Sequence, residues 1–123
     1  MSDSESFREI FQQLRQILVP YAEKGLEVVH DAESDYHLNT HHIMKNGQPL
    51  FFGAVNIKKN YVSYHHMPVY VFPELLDEIS PELKKRMQGK SCFNFKKPDS
   101  ELFKELESLT KLGYEKYQEA GYV

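Results

Sequence analysis

Residues 36–66, YHLNTHHIMKNGQPLFFGAVNIKKNYVSYHH, decide the fold. Asn46-Gly47 is the dipeptide best suited to a two-residue type I′ turn, because both loop positions then need positive φ. Taking it as the loop sets Lys45 opposite Gln48, Ile43 opposite Leu50, His41 opposite Phe52 and Asn39 opposite Ala54. The alternate positions pair His42 with Phe51, Thr40 with Gly53, Leu38 with Val55 and Tyr36 with Ile57. Side chains alternate along a strand. The core face therefore collects Tyr36, Leu38, Thr40, His42, Phe51, Val55 and Ile57, and the polar face His37, Asn39, His41, Phe52, Ala54 and Asn56.

Pairing Ile57 with Val62 across the next turn keeps apolar opposite apolar and carries the core face on to Tyr64 and His66, while Ser63 and His65 join the polar face. Upstream, Leu26 to Asp31 reads as a first strand; with Asp31 facing Tyr36, His30 lies opposite His37 and Val29 meets Leu38. Downstream, the alternation from Ser91 to Lys96 predicts a fifth strand with Phe93 and Phe95 inward.

Helices flank these strands. Phe7, Ile10, Phe11, Leu14, Ile17, Leu18 and Tyr21 fall at amphipathic-helix spacing, with Ser4 as N-cap and Pro20 and Gly25 ending the helix. Two short helical pieces are expected after Met67-Pro68. One is opened by Pro73; the other runs from the Ser80 cap and Pro81 to the stop at Gly89. A last helix, capped by Asp99 or Ser100, shows the stripe Leu102, Phe103, Leu106, Leu109, Gly113 and Tyr117. Gly113 costs about 1 kcal/mol relative to Ala inside a helix, which points to a close helix–sheet approach or a helix end there. The expected fold is a two-layer α+β domain over residues 1–123. A mainly antiparallel five-stranded sheet carries the N- and C-terminal helices on one face.

Composition narrows function by exclusion. A net charge of −3 and a pI near 6.1 lack the basic footprint of nucleic-acid binding. One cysteine leaves no internal disulfide and fits a reducing compartment. No apolar run approaches a membrane span, and the start Met-Ser-Asp-Ser-Glu-Ser has no signal-peptide pattern, so a cytoplasmic location is expected.

Three segments carry a family resemblance: Leu50-Phe51-Phe52-Gly53, the strand Tyr61 to His66, and Met87-Gln88-Gly89-Lys90-Ser91-Cys92-Phe93-Asn94-Phe95-Lys96. With them the run from Leu50 through the end of the last helix, a little over half the chain, resembles the YdhG-like domains of unknown function. The resemblance implies a small α/β fold with an antiparallel sheet. One branch of that family is described as a frataxin-like iron chaperone, which brings in iron delivery. It places no functional role on particular residues. Frataxin-type iron handling goes with an acidic ridge; here Glu23, Glu27, Asp31, Glu33 and Asp35 crowd one region without a helical stripe.

Among the chemistry-bearing residues, Gly89-Lys90-Ser91 matches only the tail of a phosphate-binding P-loop. Lys84 stands where its first glycine belongs, and helix and strand come in the wrong order. Adjacent histidines on a strand point to opposite faces, so neither His41-His42 nor His65-His66 clasps one ion. His30 opposite His37 is the candidate iron or zinc pair, beside Asp31 and Asp35. Two histidines fall short of a four-ligand structural zinc site, and no cofactor is expected. The polar face, with His37, Asn39, His41, Asn56, Ser63 and His65, suits a ligand cleft or a subunit contact such as a homodimer. On the core side His42, His66 and Tyr64 would line a small cavity over Gly53. Cys92 has no histidine at a recognisable spacing and reads as a semi-buried thiol. Lys84, Lys85, Arg86, Lys90, Lys96 and Lys97 form a basic cluster, read as pairing with Glu82 and Glu101, where an acidic partner would dock. The expectation is a non-catalytic binding module for a small molecule or protein partner, with a metal chaperone as the alternative.

Overall fold

The computed structural model describes residues 2–123, the side chains of residues 2–4 excepted. Helix α1 (Ser2–Leu18) leads through a 3-10 turn (Val19–Glu23) into four strands, β1 (Leu26–Asp31), β2 (Asp35–Ile43), β3 (Pro49–Ile57) and β4 (Val62–His66). Short helix α2 (Pro68–Val71), a second 3-10 turn (Pro73–Glu78) and short helix α3 (Pro81–Lys84) connect to β5 (Cys92–Phe95), and α4 (Ser100–Glu119) closes the chain. The expected pair of short helical pieces is thus joined by a third, α2. Ser4, expected as a cap, falls within α1, and its side chain lies outside the described residues.

The five strands pair in sequence order, all antiparallel, as one meander. Helices α1 and α4 bury their apolar stripes on one face, giving the expected two-layer α+β arrangement. Ile10, Phe11, Leu14 and Leu18 of α1 meet Leu38, Val55, Tyr64 and Phe93 of the sheet and Leu106 of α4 in a single core. The β3–β4 register matches the sequence reading, with Ile57 opposite Val62, Val55 opposite Tyr64 and Gly53 opposite His66.

The β2–β3 register does not. In this loop Gly47 adopts positive φ, +84°, and Asn46 does not, which excludes a type I′ turn at Asn46-Gly47. The loop holds three residues instead: Met44 N–H donates to the Gln48 carbonyl (2.8 Å) and Gly47 N–H to the Met44 carbonyl (2.9 Å). Ile43 therefore faces Pro49, and two irregularities follow. Thr40, His41 and His42 together oppose Leu50, where the Thr40 hydroxyl donates to the Leu50 carbonyl (2.8 Å) and accepts from His42 N–H (3.2 Å), replacing ladder bonds. Then Phe52 is the extra residue between Asn39 opposite Phe51 and Leu38 opposite Gly53. That bulge reverses the expected faces: Phe52 is fully buried in the core, and Phe51 lies on the opposite face. On β1, Val29 is likewise a bulge, so Val28 rather than Val29 meets Leu38.

Close approach fixes α4. A Cβ on Gly113 would collide with the His66 ring and sit 2.7 Å from Pro68 Cβ. Around that point Tyr64 Oη and Thr110 Oγ1 share a hydrogen bond (2.5 Å), Tyr117 Oη donates to the Phe51 carbonyl (2.9 Å), and His66 Nε2 donates to the Leu109 carbonyl (3.2 Å). The Asp99 carboxylate caps α4 by accepting from Leu102 N–H. Ser80 caps α3 and at the same time donates both its N–H and its hydroxyl to the Glu105 carboxylate of α4 (2.9 and 2.8 Å).

The Gly113→Ala variant is expected to lose about 1–3 kcal/mol despite the better helix propensity of alanine, since overpacking outweighs that gain. Urea denaturation midpoints of the variant and the parent protein measure it; an unchanged or raised midpoint would refute the close packing described here.

Candidate functional site

Because both long helices lie on one face, the other face of the sheet is open. One cross-strand row there takes one residue from every strand: His30 beside His37, His37 beside Ala54, Ala54 beside His65, and His65 beside Cys92. A second row runs Asp35, Asn56, Ser63, Asn94. Asn39 and Phe51 form a third pair.

These side chains interlock. Asn39 Oδ1 accepts from His37 Nε2 (2.8 Å), and the His37 ring packs on Phe51 with centroids 4.6 Å apart. Phe51 in turn approaches the His65 ring (6.5 Å). Ala54 and Ser63 are 2% exposed although no layer covers them, so the larger side chains around them close over this face. His41 is exposed, at the irregular end of β2.

The centre of the open face is a three-residue chain. His65 Nδ1 lies 2.9 Å from Cys92 Sγ, and His65 Nε2 lies 3.3 Å from Asn56 Oδ1. An amide oxygen only accepts, so Nε2 carries the proton it donates to Asn56, and in the neutral ring Nδ1 is left to accept from the thiol. Burial favours that neutral form by lowering the His65 pKa below its ordinary value, reinforced by Lys58 and His37 and opposed by Asp35. The order thiol, imidazole, amide is that of a Cys-His-Asn nucleophilic site. Sequence spacing gave Cys92 no histidine because the pairing runs across β4 and β5, and the place of β5 in the sheet was not legible. The expected alternation of β5 did put Cys92 on the polar face, and this was the available signal.

At the β5 margin the open face becomes concave. A groove of about 470 Å³ is lined by Tyr61, Lys85, Arg86, Gln88, Asn94 and Lys96. Asn94 belongs both to it and to the second row: its Nδ2 donates to Gln88 Oε1 (2.8 Å), while its Oδ1 is buried without a partner. The expected pairing of the basic cluster with Glu82 and Glu101 is not found. Among the described residues the ion pairs are Arg15–Asp31 and Lys116–Glu74, which leaves Lys85, Arg86 and Lys96 unpaired.

The other candidates lie elsewhere. No cavity opens over Gly53, since Leu18 Cδ2 already comes within 2.9 Å of where a Cβ would stand. Tyr64 is fully buried, and burial raises its pKa. His42 packs against Tyr122 with the rings tilted (centroids 4.6 Å apart) at the margin of a separate apolar groove with Met44, Met67 and Tyr70. The His30 and His37 rings are 6.1 Å apart, edge to face, and among the described residues no three His, Cys, Asp or Glu side chains are arranged to hold a metal ion. Among the described residues no helix is long and apolar enough to cross a membrane. Compared with family models, curated proteins and solved structures, the chain matches none.

His66 is structural. It is fully buried, Nδ1 has no partner, and burial lowers its pKa to about 3 against the opposing hydrogen bond to Leu109. A folded-state value below the unfolded one means that the unfolded chain binds the proton first as pH falls. The stabilisation is thus present above about pH 6.5 and lost on the way down to about pH 3. Between pH 7 and pH 5 this group alone is expected to remove about 2 kcal/mol of stability. Denaturant titrations at the two pH values should show a smaller loss in His66→Gln, and equal losses would contradict the assignment.

Proposed function

We propose that this chain is a binding module that holds a small polar ligand with an anionic group at the β4–β5 end of its open sheet face. The reading is carried by Asn94, which joins the histidine- and amide-bearing face to the cationic groove and keeps a buried acceptor unsatisfied there. Buried polar atoms are otherwise almost always paired, so a donor on the ligand would complete Asn94 while Lys85, Arg86 and Lys96 meet its charge. The face itself offers fixed amides and imidazoles beside the Phe51 ring, with little side-chain freedom left to lose on binding. A cytoplasmic setting belongs to this reading, as does membership of the YdhG-like family on the resemblance of the three segments quoted above. Metal delivery through His30 and His37 would need ligands from a second molecule, because among the described residues no third one stands beside them.

Amide NMR titrations with inorganic phosphate, pyrophosphate and small carboxylates test the reading. Shift changes are expected to gather on Arg86, Gln88, Cys92 and Asn94, and Arg86→Ala is expected to weaken binding about tenfold, the equivalent of 1.4 kcal/mol. Absence of saturable shifts, or their concentration around His42 and Tyr122, would overturn it.

A further inference from the structure

We propose that Cys92 is a nucleophile that takes the acyl group of a small activated ester or thioester, with His65 as its base and Asn56 as the residue that positions the imidazole. The inference deepens the ligand reading of the open face and rests on it. Three observations carry it. The thiol and Nδ1 are within hydrogen-bond distance at 2.9 Å. The Asn56 oxygen, at 3.3 Å from Nε2, selects the tautomer in which Nδ1 is the free base. The three residues come from β3, β4 and β5, neighbouring strands of a paired sheet, so the constellation is held by backbone and not by a loop.

The chemistry balances without any further reactant. His65 Nδ1 takes the thiol proton as Cys92 Sγ bonds to the acyl carbon. The carbonyl π pair moves onto oxygen and returns as the bond to the leaving group breaks. The imidazolium then gives its proton to the departing alkoxide or thiolate. Thiol plus ester thus become thioester plus alcohol, with no change in oxidation state. One feature fixes the acyl class: the half-buried Phe51 ring beside His65 supplies apolar surface for a short uncharged acyl chain.

The full chain treated with para-nitrophenyl acetate gives the test. One acetyl group is expected on Cys92 by intact mass and peptide mapping, with matching nitrophenolate release. His65→Gln is expected to slow the reaction about 100-fold, the scale of a lost general base. Asn56→Ala is expected to slow it too. Asn56→Asp keeps the acceptor and should restore the rate. Its added negative charge should also move the midpoint of the rate–pH profile upward, in a setting where His37, Asp35, Lys58 and Cys92 already face the imidazole. Equal rates in the parent protein and His65→Gln, or acetyl groups on lysines in place of Cys92, would overturn the proposal. Should circular dichroism show His65→Gln unfolded, the Asn56 pair decides: an unmoved pH midpoint in Asn56→Asp would also overturn it. Anion binding without His65-dependent acetylation removes the nucleophile and leaves the ligand reading; acetylation without anion binding does the reverse.

Discussion

The approach of α4 to β4 at Gly113 governs this structure. Only a residue without a side chain lets the helix backbone come down on the His66 ring, and that distance sets all the others along the interface. Leu106 and Leu109 reach the core, Thr110 reaches the Tyr64 hydroxyl, and Tyr117 reaches the Phe51 carbonyl. Holding a histidine in this position costs desolvation of one imidazole, and the Leu109 carbonyl offsets part of that cost. The payload of aromatic rings around it, Phe52 edge-on and Tyr64 stacked, leaves water no space above the charge-free ring.

Because α1 and α4 crowd onto one face, most polar side chains of the sheet lie on the other, where imidazole, amide and thiol groups bond to each other while Asp35 Oδ1 and Asn94 Oδ1 stay unpaired. His37 bonds Asn39 along β2, and His65 bridges Cys92 and Asn56 across spans that the neighbouring strands set. Rigid partners at fixed separations are what a recognition or reaction site requires. The cationic margin supplies charge without placing it in the row itself.

Strand identity, the β3–β4 register and the placing of His30 beside His37 were legible in the residues, since apolar alternation and short turns specify them. The β2–β3 register was not. A period-two pattern assumes that every residue has one partner, whereas Thr40-His41-His42 and Phe51-Phe52-Gly53 each spend residues on a bulge. The second triplet carried a hint, two adjacent phenylalanines that cannot both face the core of an unbroken strand next to a glycine. The His65–Cys92 contact was out of reach for another reason: it depends on which sheet edge β5 joins, and the chain between, through Pro68, Pro73 and Pro81, fixes that by tertiary packing. The candidate site was thus half legible. Its β2–β4 members were foreseen on the right face, with the exception of Phe51, and the residue that changes its chemistry was not joined to them.

The meander also sets the order in which this chain can assemble. Each strand pairs with the next in sequence, so the first four close through short loops at little entropic cost. The long-range closures bring α4 back to the start of the meander, where the Tyr114 hydroxyl donates to the carbonyl of Lys24, the residue that ends the 3-10 turn after α1. Because α4 follows all five strands in sequence, it leaves the ribosome after them, and until then α1 alone can cover the apolar side of the sheet. The growing chain carries its whole open face, His37 to Cys92, before it carries the helix that completes the core.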